Sequence, residues 1–174
     1  INDACSRSGR DPKSVKLVVS TKYVDTEVTK ILLENGINEF GENRLQDTEE
    51  KIKHLGNESI VWHMFGHLQR NKVKKALHLF DLIHSVESLR LAEEINKESL
   101  KLEKRTKILV EINVSGEEAK YGLTPEQAIP FINEARMMEG LQIEGLMTMA
   151  PMVDDQDVCR PVFNGLRKLR DKIA

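Results

Sequence analysis

A lysine directly after an apolar run is a candidate nucleophile, and Lys22 follows one: Val15–Thr21 reads VKLVVST, the composition of a buried strand. An amine at the end of such a strand is partly desolvated, which disfavours its charged form and lowers its pKa. A neutral amine is what Schiff-base formation with an aldehyde requires. The alternative is a solvated loop lysine, because Lys is mostly exposed in folded proteins. Position alone leaves both open.

Three other groups of residues carry potential chemistry. Gly41-Glu42-Asn43 ends a second short apolar run. Gly41 permits close backbone approach, and Asn43 either donates to a ligand oxygen or caps the helix that starts at Arg44. The cluster Trp62-His63-Met64-Phe65-Gly66-His67 alternates His63 with Met64, so on a strand the two face opposite sides. His63 is then either a satisfied core histidine or a ligand neighbour. Met147 and Met149 flank Thr148 at the end of a sixth run; methionine there is core filler or, at Met147, a surface for a flat ring. Around SGEEAKYG, Asn113, Lys120 and Gly122 border a loop whose Glu117-Glu118 pair suggests a divalent site or, more simply, a solvated loop. His63 and His67 lack the HExxH arrangement, so no metal is expected. Arg70–Lys75 (RNKVKK) has no interleaved aromatics and reads as a solvated helix face rather than a nucleic-acid patch.

These residues sit on a regular frame. After an opening helical stretch, strand and helix patterns alternate six times. The predicted strands are Val15–Thr21, Asn38–Glu42, Ile60–Gly66, Leu82–Val86, Lys107–Val114 and Ile143–Met149. The predicted helices are Thr26–Asn35, Arg44–Leu55, Leu68–Phe80, Ser88–Lys104, Thr124–Met138 and Gln156–Ile173. Gly36 and Gly56 close two of them, Ser88 caps one, and Thr124-Pro125-Glu126 opens another. Such alternation implies a parallel sheet, either doubly wound or a barrel. The first strand ends in Ser20-Thr21-Lys22-Tyr23 with no GxGxxG, against a dinucleotide-binding sheet. Polar residues gather at strand ends instead: Lys22, Asn43, His63, His84, Asn113 and Thr148. That convergence favours a TIM-type (β/α)8 barrel, of which about six βα units are present.

Composition sets the bounds. The chain has 174 residues, 40% hydrophobic and 31% charged, with a net charge of −2. These suit one globular domain and supply no global field for nucleic acid or anionic lipid. No apolar run reaches the roughly 18 residues of a membrane span. Two distant cysteines, Cys5 and Cys159, suit a reducing compartment, so a cytoplasmic location is expected.

In order, VSTK at 19–22, FGENR at 40–44, WHMFGHLQRNK at 62–72, IHSVES at 83–88, EINVSGEEAKYG at 111–122 and GLMTMAP at 145–151 resemble the pyridoxal phosphate homeostasis protein family. The resemblance implies the fold of the alanine racemase N-terminal barrel. It implies pyridoxal 5′-phosphate bound as an aldimine on Lys22, with Asn43, His63 and Met147 as pocket residues. It also implies a role in cofactor buffering or delivery without robust catalysis, with apo enzymes that use the cofactor as partners and a monomeric full-length protein. An amino-acid racemase-like enzyme and a barrel holding another aldehyde or sugar phosphate are the competing expectations.

The family holds the cofactor phosphate after strands seven and eight. The chain is therefore expected to be a single barrel domain, 1–174, truncated at both ends and lacking its last two βα units, with the aldehyde end of the site and not the phosphate end.

Overall fold

The structure, a computed structural model, describes residues 1–56, 59–117 and 120–174. Helix α1 (Asn2–Ser8) precedes six strand–helix units: β1 (Val19–Ser20), α2 (Thr26–Glu34), β2 (Glu39–Glu42), α3 (Leu45–Leu55), β3 (Val61–Met64), α4 (Val73–Leu79), β4 (Leu82–Val86), α5 (Leu89–Lys101), β5 (Thr106–Glu111), α6 (Pro125–Ala135), β6 (Leu141–Met147) and α7 (Gln156–Ile173). The strands lie in sequence order, each parallel to the next. This is six consecutive units of the barrel architecture.

The helices begin and end where local chemistry says they should. Asp25 accepts from the Val28 N–H at 2.9 Å at the start of α2, and Ser88 accepts from Leu91 at the start of α5. Gln127 Oε1 accepts from the Thr124 N–H at 2.9 Å, satisfying a donor that the first turn of α6 cannot. Gly36 and Gly56 take φ values of 84° and 72°, a region costly for residues with a Cβ.

The main differences from the sequence expectation are at edges. The first strand is only Val19–Ser20, because its pairing with β2 begins at Val19 opposite Phe40. Residues 15–18 have no ladder, and Leu17 stays 54% exposed. The helix expected from Leu68 opens as a 3-10 turn, Arg70–Lys72, before α4 begins.

Strand alternation divides the sheet into two faces. Phe40, Trp62, Met64, Ile83, Ile108 and Val110 are buried and pack with Leu45, Ala76, Leu77, Leu91, Ile95, Ala128 and Ile132 from the helices. At about 25 cal/mol per Å² of apolar surface, this layer is the main stabilising element. The intervening positions, Gly41, His63, His84, Glu111 and Met147, fall on the opposite face.

Candidate functional site

The carboxyl ends of the strands surround a cavity of ≈ 500 Å³, within the range of small-molecule sites. Ser20 and Lys22 border it from β1, Asn43 from the end of β2, and Phe65, Gly66 and His67 from the segment after β3. His84, Glu111 and Met147 come from β4, β5 and β6, with Tyr121 and Met149 at the rim. The period-2 alternation that packs Ile83, Val110 and Leu146 against the helices turns their neighbours His84, Glu111 and Met147 to this side.

Lys22 and Asn43 lie two residues beyond the paired positions Ser20 and Gly41. A buried network behind them holds the two strand ends together. Lys51 of α3 donates to the Thr21 carbonyl at 2.6 Å and to Glu42 Oε1 at 2.5 Å. The Thr21 hydroxyl donates to the same carboxylate oxygen at 2.7 Å. Thr21 and Glu42 immediately precede Lys22 and Asn43, so one helix side chain ties both cavity residues through their neighbours. Glu42 is fully buried, and its second oxygen has no partner among the described residues.

Two alternatives left open by the sequence are resolved. Lys22 is exposed, as in the solvated alternative, with β1 at one end of the six described strands. Its Nζ lies 4.7 Å from the centroid of the Tyr23 ring. Asn43 does not cap α3. The capping position is Arg44, whose side chain makes no cap, so Asn43 is left facing the cavity. A Cβ on Gly66 would come 2.9 Å from Asn43 Cβ, so only glycine allows this approach.

His63 does not border the cavity. It is buried, with Nδ1 2.9 Å from His84 Nε2 and Nε2 2.8 Å from Glu39 Oε2. Glu39 also accepts from Lys16 at 2.8 Å. Burial pushes the Glu39 carboxyl up, and the hydrogen bonds and charges of Lys16 and His63 outweigh it, so its pKa is lowered. Of the residues singled out from sequence, Lys22, Asn43 and Met147 therefore come together, and His63 stands one shell behind, in contact with His84.

Residues that the sequence did not assign to the pocket complete the walls. The Phe65 ring lies edge-on to His84, 4.8 Å between centroids. It occupies the space a Cβ on Gly41 would take, 1.9 Å away. His67 stacks on Tyr121 at 4.8 Å and pairs with Glu87 at 2.9 Å. Glu111 is buried beside Glu87. Burial first, and the neighbouring Glu87 carboxylate second, push its pKa up to about 7. Burial, then repulsion from His63, push His84 down to about 4. Phe65, Gly66 and His67 lie within a motif singled out from sequence, and His84 lies at a strand end; counting alternation along LVEINV from Val110 would have turned Glu111 inward. Tyr121 lies in the SGEEAKYG loop singled out from sequence, but its residue type alone did not mark it as a wall residue.

The fifth loop is held by Asn113, whose side chain donates to the carbonyls of Glu117 and Lys120. Glu117 pairs with Lys120 at 2.6 Å; Glu118 of the suggested divalent pair lies outside the described residues. Among the described residues no group of three or more His, Cys, Asp or Glu side chains is placed to hold a metal.

Residues 22–174 match the alanine racemase N-terminal domain family. A pyridoxal phosphate homeostasis protein of Aquifex aeolicus is 36% identical over 173 residues, covering 99% of this chain and 76% of that protein. The chain belongs to the pyridoxal phosphate homeostasis protein family. Solved structures agree with this membership. PipY of Synechococcus elongatus, determined with PLP bound, superposes with a TM-score of 0.85 at 27% identity, over 99% of this chain and 80% of PipY. A protein of Bifidobacterium adolescentis reaches 0.90 at 34% identity, over 99% of this chain and 74% of that one. Among the described residues of this homeostasis-family chain, no helix is long and apolar enough to cross a membrane.

Proposed function

We propose that this chain binds pyridoxal 5′-phosphate at the cavity, held on Lys22, and takes part in homeostasis of that cofactor by buffering or delivering it. The observation that carries the reading is the joint placement of a primary amine and flat or soft apolar walls, Lys22 with Phe65, Tyr121 and Met147, around one cavity of ≈ 500 Å³. The residues fit the aldehyde and ring of the cofactor: the amine is accessible, and Gly66 leaves room where a Cβ would meet Asn43. No arginine is among the described lining residues, so the fit concerns that end of the molecule and not its phosphate.

When bound, pyridoxal phosphate supplies an aldehyde that condenses reversibly with an amine and a ring that draws electrons from it. The chain's own residues do the holding. Lys51 and Glu42 fix the strand ends that carry Lys22 and Asn43. Met147 and Phe65 offer a polarizable and an aromatic surface to a flat ring. Asn43 is positioned to donate to a ligand oxygen. Glu111, with its pKa near neutrality, can hold a proton at the wall.

The reading is non-catalytic. The relatives it matches are named homeostasis proteins, which supports that reading. Its partners on this reading are apo enzymes that need the cofactor. We place the protein in the cytoplasm, where the free thiols Cys5 and Cys159 suit a reducing compartment, and take its full-length form to be monomeric. Titration with pyridoxal phosphate, followed by visible absorbance, tests the reading. A yellow band should grow with the wild-type chain and not with Lys22→Ala; equal spectra from the two would refute it.

A further inference from the structure

His63 is too well buried to meet a ligand, yet it is bonded on both ring nitrogens. Its Nε2 lies 2.8 Å from Glu39 Oε2 and its Nδ1 lies 2.9 Å from His84 Nε2. His84 in turn borders the cavity, and its Nδ1 has no hydrogen-bond partner among the described residues. The row runs from Lys16, whose side chain is 73% exposed, through Glu39 and His63 to the cavity wall. In a neutral imidazole, one nitrogen donates and the other accepts, and the partner of the first dictates the role of the second.

We infer that Glu39 and His63 are positioning residues that fix His84 in a single neutral tautomer, with the proton on Nε2 and an unprotonated Nδ1 turned to the ligand. The polarity follows from the acid end. A carboxylate can only accept, so His63 must donate from Nε2 to Glu39. With a single proton on its ring, His63 then has a lone pair on Nδ1, which accepts from His84 Nε2–H. His84 is left with a lone pair on Nδ1. The cavity therefore offers an acceptor there and selects a ligand atom that carries a proton, a hydroxyl or an N–H. The same arrangement, a histidine whose far nitrogen is held by a carboxylate or carbonyl, fixes tautomers at metal and catalytic sites.

Two further observations support this assignment. Lys16 and His63 lower the pKa of Glu39 despite its partial burial, which keeps it an acceptor. His84 faces the His63 ring of β3 and shares the cavity with Glu111, Lys22 and His67. Burial is the main cause of its lowered pKa, about 4, so it remains neutral at neutral pH even beside a carboxyl.

The inference rests on the cavity being the ligand site proposed above, and its test needs no cofactor. The chain has five histidines, so nitrogen-15 NMR of the histidine rings at pH 7.5 can assign each. His84 in the wild-type chain should show a pyridine-like Nδ1 and a protonated Nε2. In Glu39→Gln, the introduced amide can also donate to His63, so the reverse polarity becomes available and a second His84 tautomer should appear. In His63→Phe the acceptor is gone and the single tautomer should likewise be lost. A protonated His84 Nδ1 in the wild type, or an unchanged single tautomer in either folded variant, would overturn the inference. Should a variant not fold, the wild-type spectrum still decides the polarity. Failure to bind pyridoxal phosphate would refute the function and leave this result standing.

Discussion

Lys51 donates to the carbonyl of Thr21 at 2.6 Å, which makes a helix side chain the anchor of the strand end that carries Lys22. Its other partner, Glu42, is fully buried. Removing one member of a buried pair leaves an uncompensated charge, a loss of about 3–5 kcal/mol, whereas replacing both with apolar residues is often neutral. Lys51→Met should thus be severely destabilised, and adding Glu42→Leu should recover most of the loss. Denaturant unfolding of the two variants checks this. A single variant as stable as the wild type would mean that the tie contributes nothing.

Gly41→Ala should disturb the cavity without touching any polar residue. Its Cβ would lie 1.9 Å from the Phe65 ring, so the ring must move. Overpacking of this kind costs about 1–3 kcal/mol. Pairing the change with Phe65→Leu should relieve part of it. Thermal melts of the single and double variants measure both effects, and a neutral Gly41→Ala would show that the ring does not sit against β2.

Two cavity groups give stability opposite slopes against pH. Glu111 has a folded pKa of about 7, above its ordinary value of 4.5. The native state therefore holds more protons than the unfolded one between those values, and stability falls as pH rises through them. His84 has a folded pKa of about 4, below its ordinary 6.5. It contributes stability above pH 6.5 that is lost as pH falls towards 4. Glu111→Gln should remove the first slope only. The variant should melt higher than the wild type at pH 8, by about 2–4 °C, with no such gain at pH 4.5. Parallel melting curves at the two pH values would contradict the assignment.

Racemase turnover should be absent. With L- or D-alanine and saturating pyridoxal phosphate, the interconversion rate should fall far below the roughly 10 per second typical of enzymes. A rate near that value would displace the non-catalytic reading.

Much of the frame was legible because periodicity and punctuation agree along the chain. The strand Leu82–Val86 and the helix Gln156–Ile173 appear with the bounds that pattern alone predicts. Asp25, just ahead of the predicted helix, and Gly36, just after it, sit where α2 starts and stops. β1 is shorter than the pattern because residues 15–18 have no paired neighbour, and β5 ends at Glu111 because Ile112 pairs with Leu123 instead of continuing the ladder. The site was legible only in part. Lys22 and Met147 could be placed at strand ends, but whether a side chain is first or second from a ligand depends on its neighbours. His63 is the case in point: type and strand position matched a pocket residue, and only the approach of His84 puts it behind the wall. Lys51 was invisible, since nothing in a charged helix marks the one lysine that turns inward.

The central claim is that Lys22 carries the cofactor, and chemical trapping tests it directly. The chain is incubated with pyridoxal phosphate, reduced with borohydride, digested and mapped by mass spectrometry. The pyridoxyl mass should appear on the peptide containing Lys22 and vanish in Lys22→Ala. A modification on Lys16, Lys72 or Lys120 in its place, or none at all, would contradict the account.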